Sequence, residues 1–116
     1  MVEVKNMHFA TSIAVLFALK EARGHTTLQE TYSSIGKITD FEGMLELLRI
    51  CYEKGEGKKV SFEEFIDILA QSGVGFVKVT TIFNQVVEGI LYSGMSNDEV
   101  ENAKKLVQSK LPQNQN

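Results

Sequence analysis

The stretch TDFEGMLELLRICYEKGEGKKVSFEEFIDILAQ, residues 39–71, decides the fold. Its first half sets Phe41, Met44, Leu45, Leu48, Cys51 and Tyr52 at i, i+3, i+4, i+7 spacing, the signature of one helix face. Its second half repeats the pattern with Phe62, Phe65, Ile66 and Leu69, all expected to point inward. Between the halves, Gly55-Glu56-Gly57-Lys58-Lys59 breaks the apolar face. Each half is preceded by a Ser or Thr with Glu three residues later: Thr39 with Glu42, Ser61 with Glu64. In such a capping box the two side chains satisfy backbone N–H groups that a helix start leaves without partners. The spacing predicts helices over 40–54 and 62–71.

Working outward, Thr27 with Glu30 and Ser96 with Glu99 carry the same signature. They predict a short helix over 28–34 ending at Gly36, and a last one over 97–110 with Val100, Ala103, Val107 and Leu111 on one side. Phe9 to Arg23 also reads as helix, with Gly24 as its stop, because glycine takes the left-handed cap conformation without strain. Ile13, Leu16, Phe17 and Lys20 share one face there, while Ala14, Val15, Ala18 and Leu19 cover the others. A helix apolar nearly all round belongs in the middle of a bundle. Val79, Ile82, Phe83, Val86, Ile90 and Leu91 predict a further helix ending at Gly94, with a strand over Phe76–Thr80 as the alternative. Val2 to Lys5 alternates apolar and charged and has room for one short strand. The fold class is therefore all-α: a compact bundle of five or six short helices, with one short N-terminal β-strand at most. It forms one domain over 1–112, and the polar tail 113–116 after Pro112 is expected to fray.

Bulk properties narrow the function. A chain of 116 residues with 43% hydrophobic and 23% charged residues is ordinary globular material. Net charge is −3, and Lys54, Lys58 and Lys59 form the only dense basic spot. A nucleic-acid binder would carry a basic stripe for phosphate contacts, so no nucleic-acid partner is expected. The longest apolar run, Ile13 to Leu19, is far short of the ~20 residues of a spanning helix. It reads as a buried helix, and no membrane is expected. Cys51, the one cysteine, reads as a buried inert thiol. With no secretory signal, it favours a reducing, cytoplasmic location.

No catalytic, metal or cofactor site emerges. Glu53 to Phe65 invites comparison with a calcium loop: Glu53 falls at loop position 1, Val60 at 8 and Glu64 at 12. Positions 3 and 5 are then Gly55 and Gly57, without side-chain oxygens, and position 6 is Lys58 where glycine is needed. The glycines and lysines of 55–59 lack phosphate-loop spacing, and Gly73-Val74-Gly75 lacks the third glycine of a dinucleotide site. His8 and His25 have no companion ligands and read as surface or capping groups at the edges of the first helix. Cys51 has no third group to complete a nucleophile arrangement. Glu63, Glu64 and Asp67 suit the first turns of a helix, where negative charge complements the dipole. What remains is apolar surface. The loop Ser72 to Val77 places Val74, Phe76 and Val77 among glycines, and these three are the candidate partner-binding residues, with Phe76 as a core plug the rival reading.

The layout resembles the phage tail assembly chaperones, small helical proteins encoded just before the tape measure gene. The resemblance runs from about Phe9 to Leu91. It rests on Ala10-Thr11-Ser12-Ile13-Ala14 leading to Gly24, then Thr27-Leu28-Gln29-Glu30, Met44-Leu45-Glu46-Leu47-Leu48 and Lys59-Val60-Ser61-Phe62-Glu63-Glu64. Members often begin with a β-hairpin, for which few residues are in place here. The resemblance implies a cytoplasmic, phage- or prophage-encoded chaperone. It would hold the tape measure protein soluble, help tail tube protein assemble on it, and self-associate. A ribosomal frameshift in such systems often makes a longer second product. Two rivals stand beside it. A calcium-independent EF-hand-like adaptor binding a partner helix would need paired helix–loop–helix units, and only one candidate is present. A small enzyme would need a polar pocket assembled from scattered residues.

Overall fold

A computed structural model describes residues 1–92 together with residues 98, 99, 101, 102 and 105. In chain order the elements are β1 (Val2–Val4), β2 (Met7–Phe9), α1 (Ile13–Arg23), α2 (Leu28–Ile35), α3 (Phe41–Glu56), α4 (Phe62–Gln71) and α5 (Phe76–Leu91). The fold is mostly helical, with a two-stranded antiparallel sheet at its N-terminal end.

The hairpin pairs Val2 with Phe9, Glu3 with His8 and Val4 with Met7. Its two-residue turn has both central residues at positive φ, Lys5 at 49° and Asn6 at 70°. That is the backbone hand that suits the twist of paired strands. The sequence reading allowed one strand and began a helix at Phe9. Instead the chain pairs a second strand through Phe9, and α1 starts only at Ile13 with Ser12 at its N-cap.

Helix α3 is the centre of the molecule. It buries Leu45, Leu47, Leu48, Ile50, Cys51 and Tyr52, because β2, α1, α4 and α5 all pack against it. Leu47 and Ile50 lie off the apolar stripe read from the sequence, and this many-sided packing accounts for them. Strand β2 runs close across the helix: the Ala10 N–H donates to the Cys51 carbonyl at 2.9 Å. Phe9 is fully buried, its ring 5.9 Å from Tyr52 and 6.4 Å from Phe65. Gly55 permits the crossing, since a Cβ there would overlap the backbone carbonyl of His8.

The helix starts follow the capping logic with two shifts. Ser61 forms the full box: its hydroxyl accepts from the Glu64 N–H at 3.1 Å, and the Glu64 carboxylate accepts from the Ser61 N–H at 2.8 Å. Thr27 accepts from the Glu30 N–H, but the Glu30 carboxylate reaches one residue further back, to the Thr26 N–H. At α3 the expected Thr39–Glu42 box is replaced. Asp40 is the cap, accepting from the Gly43 N–H at 2.9 Å, and this makes Phe41 the first helical residue. Gly24 and Gly57 close α1 and α3 at φ 68° and 70°.

Helix α5 takes the helical alternative from Phe76 onward, with Gly75 as its cap, and buries Val79, Ile82, Phe83, Val86 and Ile90. Two expectations about burial are corrected. Phe62, read as inward, is exposed at the first position of α4, where only Phe65 and Leu69 are fully buried. Helix α1, read as buried mid-bundle, lies at the surface. It buries Val15 and Leu19 and leaves Ile13 61% and Phe17 52% exposed. The neighbours α2 and α3 cover one side of α1, and no described residue covers the other. The Ser96–Glu99 box, the stop at Gly94, the helix over 97–110 and the tail after Pro112 fall, in whole or part, outside the described residues. Asp98, Glu99, Glu101, Asn102 and Lys105 are helical and exposed. No single helix among the described residues is long and apolar enough to cross a membrane; α4 and α5 approach that composition only as a pair bent by 113°.

Candidate functional site

The residues singled out for partner binding separate in the structure. Val74 is buried in the bend between α4 and α5. Its N–H donates to the Leu69 carbonyl at 2.9 Å, which ties the bend to α4. Phe76 and Val77 are not loop residues. They open α5 and stand 67% and 78% exposed. Phe76 is therefore not a core plug. Its ring stacks on Phe41, the first residue of α3, at 4.5 Å between centroids and 13° between planes. An apolar depression of about 240 Å³ lies beneath, lined by Phe41, Leu45, Ile66, Ala70 and Phe76 among others.

Sequence reasoning missed part of this surface. Phe41 and Ile66 were read as core, yet both are half-buried and border the depression. Phe62 lies one turn before Ile66 on the same side of α4 and adds exposed ring surface. The surplus of apolar residues at α3, α4 and α5 was visible in the sequence. Which of them the core leaves uncovered depends on how the helix ends meet.

Of the polar groups weighed for chemistry, His8, His25, Glu53 and Glu64 make contacts that hold the fold. His8 stands on β2 between two carboxylates, with Nε2 at 3.0 Å from Glu3 and Nδ1 at 3.0 Å from Glu56. The same Glu56 oxygen accepts from the His8 N–H at 2.8 Å. The hydrogen bond to Glu56 holds the imidazole above its ordinary pKa, and that bond in turn holds the carboxyl below its own. The effect is to fasten the hairpin to the end of α3. His25 Nδ1 meets the Thr31 hydroxyl at 2.9 Å, next to the α2 cap. Cys51 is buried, and desolvation pushes its thiol far above the range in which a thiolate forms.

The α3–α4 loop does not gather its carboxylates. Glu53 accepts from the Val60 N–H at 2.9 Å and pairs with Arg49 at 3.2 Å. Glu64 is taken by the Ser61 cap. Among the described residues, no group of three or more His, Cys, Asp or Glu side chains is placed to hold a metal ion. Lys58 lies over the Tyr52 ring at 5.7 Å, a cation–π contact.

Comparison of the chain with protein-family models, with curated proteins and with solved structures finds no match. The functional reading therefore rests on the geometry and on the layout of the chain.

Proposed function

We propose that this protein is a phage tail assembly chaperone, which binds the tape measure protein and assists assembly of the tail tube protein around it. The observation that carries the reading is the exposed apolar knob of Phe76 and Val77, set on a helix start and backed by the stacked ring of Phe41. Large exposed apolar groups on a rigid base suit recognition of another protein's apolar segment. A tape measure protein is long and helical, and its apolar helix faces are partners of that chemistry.

The layout adds support. Members of the family often begin with a β-hairpin, and one is present at Val2–Phe9. The elements then follow in the family's order: a small-residue-rich helix closed by Gly24, a Thr27-capped short helix, the leucine-rich α3, the Ser61-capped α4 and the longer α5.

The reading is tested by expressing the gene with its native downstream DNA and purifying through an N-terminal tag. Mass spectrometry should then find a longer, frameshifted product and a large helical protein encoded by the neighbouring gene. A single product with no neighbour protein at any expression level would count against it.

A further inference from the structure

The lysines that lie close together in the sequence part company in the structure. Lys58 turns over the Tyr52 ring. Lys54, in the last turn of α3, and Lys59, in the loop after it, instead join Lys20 from the last turn of α1 around a groove of about 750 Å³. Its apolar lining includes the half-exposed ring of Phe17 and the buried Ile50. The charges around it do not balance. Arg49 and Glu53 also line the groove, but they pair with each other at 3.2 Å, and Glu53 further accepts from the Val60 N–H at 2.9 Å. Three lysines are left against one carboxylate, Glu21. Among the described residues, none of Lys20, Lys54 and Lys59 has an ion-pair partner. The helix dipoles account for a lysine in the last turn of α1 and of α3, but Lys59 belongs to neither helix.

We propose that this groove binds an acidic segment of a partner protein, whose carboxylates reach Lys20, Lys54 and Lys59 and whose apolar side chain lies along Phe17. The inference does not depend on the proposed function. Phe41, which stacks on Phe76, and Lys54 stand towards opposite ends of α3, about 20 Å apart along its axis. Charge complementarity selects the occupant. The chain carries a net charge of −3, so the groove is a positive concavity on a negative molecule. A cleft lined by one sign of charge concentrates ligands of the other. A nucleic acid fits less well, because its affinity grows with the number of phosphates neutralised. Three lysines neutralise few of them, and the rest of the chain repels a long polyanion. A peptide needs only a few carboxylates, and Phe17 offers it an apolar contact.

The isotope-enriched full chain tests this by NMR titration with a short, end-blocked peptide of alternating glutamate and leucine. The expected result is shifts confined to the amides around Ala18, Lys20, Ile50 and Lys59, with an affinity that falls as salt rises. Lys20→Gln, Lys54→Gln and Lys59→Gln together should weaken binding on the order of tenfold, the combined effect of three exposed ion pairs. None of the three side chains is buried, so the variant should fold, and a thermal melt checks that. Lys58→Gln removes the same charge outside the groove and should leave the affinity within ~twofold. A peptide with glutamine in place of glutamate should not bind the wild type. Absence of shifts, or shifts centred on Phe76, would overturn the proposal, as would undiminished binding by the folded triple variant. Equal weakening by Lys58→Gln would overturn it by tracing the affinity to overall charge. Equal binding of the glutamine peptide would remove the lysines as the cause. Tighter binding of a single-stranded oligonucleotide at the same amides would overturn it in favour of nucleic acid.

Discussion

The Phe41 and Phe76 rings stack nearly parallel, 4.5 Å apart, so the first residue of α3 meets the first residue of α5. The contact joins two helix starts and leaves most of the Phe76 ring in water. Such aromatic pairs contribute ~1 kcal/mol beyond the area they bury. Phe76→Ala is therefore expected to lower unfolding stability by about that much, read from urea denaturation, while the fold persists. A loss of several kcal/mol would mean that Phe76 serves the core rather than a partner.

The caps separate what the structure uses from what the sequence suggested. Ser61→Ala and Asp40→Ala should each cost ~1 kcal/mol, the usual effect of losing a helix N-cap. Thr39→Ala should stay within ~0.5 kcal/mol, because Thr39 is exposed and Asp40 does the capping. Thermal melts of the three variants check this. A Thr39→Ala loss as large as that of Asp40→Ala would contradict the assignment.

Gly55 has no room for a side chain. The extra carbon of Gly55→Ala would meet the His8 carbonyl and lie 3.0 Å from the Ala10 nitrogen. Both are backbone atoms and cannot swing aside, so the cost should reach the upper part of the ~1–3 kcal/mol range for overpacking. Hydrogen exchange should show the amides of β2 opening first. Gly57→Ala meets no atom within 4 Å, and its penalty comes only from its positive φ.

The His8–Glu56 link makes stability depend on pH in a defined window. His8 is raised above its ordinary 6.5, so its contribution is whole below pH 6.5 and is lost as pH climbs through the raised value. Glu56 is lowered below its ordinary 4.5, so its contribution is whole above pH 4.5 and is lost as pH falls through the lowered value. The difference in Tm between the wild type and His8→Gln should be largest between pH 4.5 and 6.5 and shrink on both sides. A difference that does not vary with pH would show that the ion pair adds nothing.

Most of the helices were legible because amphipathic spacing and capping residues agree with each other at 27–71. The hairpin was not, since three-residue strands leave too short a pattern and Lys5-Asn6 lacks the glycine that usually marks such a turn. The surface position of α1 was hidden for a different reason. Apolar residues on every face of a helix state what needs covering, not which neighbour covers it. The same ambiguity affected Phe62 and Phe41, which periodicity assigns to the core and the helix ends leave partly open. The exposure of Phe76 and Val77 was anticipated as one of two readings. Val74 alone of the three turned inward, because its N–H is bound back to Leu69.

In the proposed function, the Phe76–Val77 knob is what holds the tape measure protein. The most direct measurement is the soluble fraction of that protein when co-expressed with the wild-type chain or with Phe76→Asp, Val77→Asp. Both positions are exposed in the first turn of α5, where negative charge suits the helix dipole, so the variant should fold. The expected result is a soluble complex with the wild type, and an insoluble tape measure protein with a variant that still melts cooperatively, destabilised by no more than the ~1 kcal/mol of the lost Phe41–Phe76 stack. A tape measure protein kept equally soluble by the variant, or by neither chain, would contradict the claim.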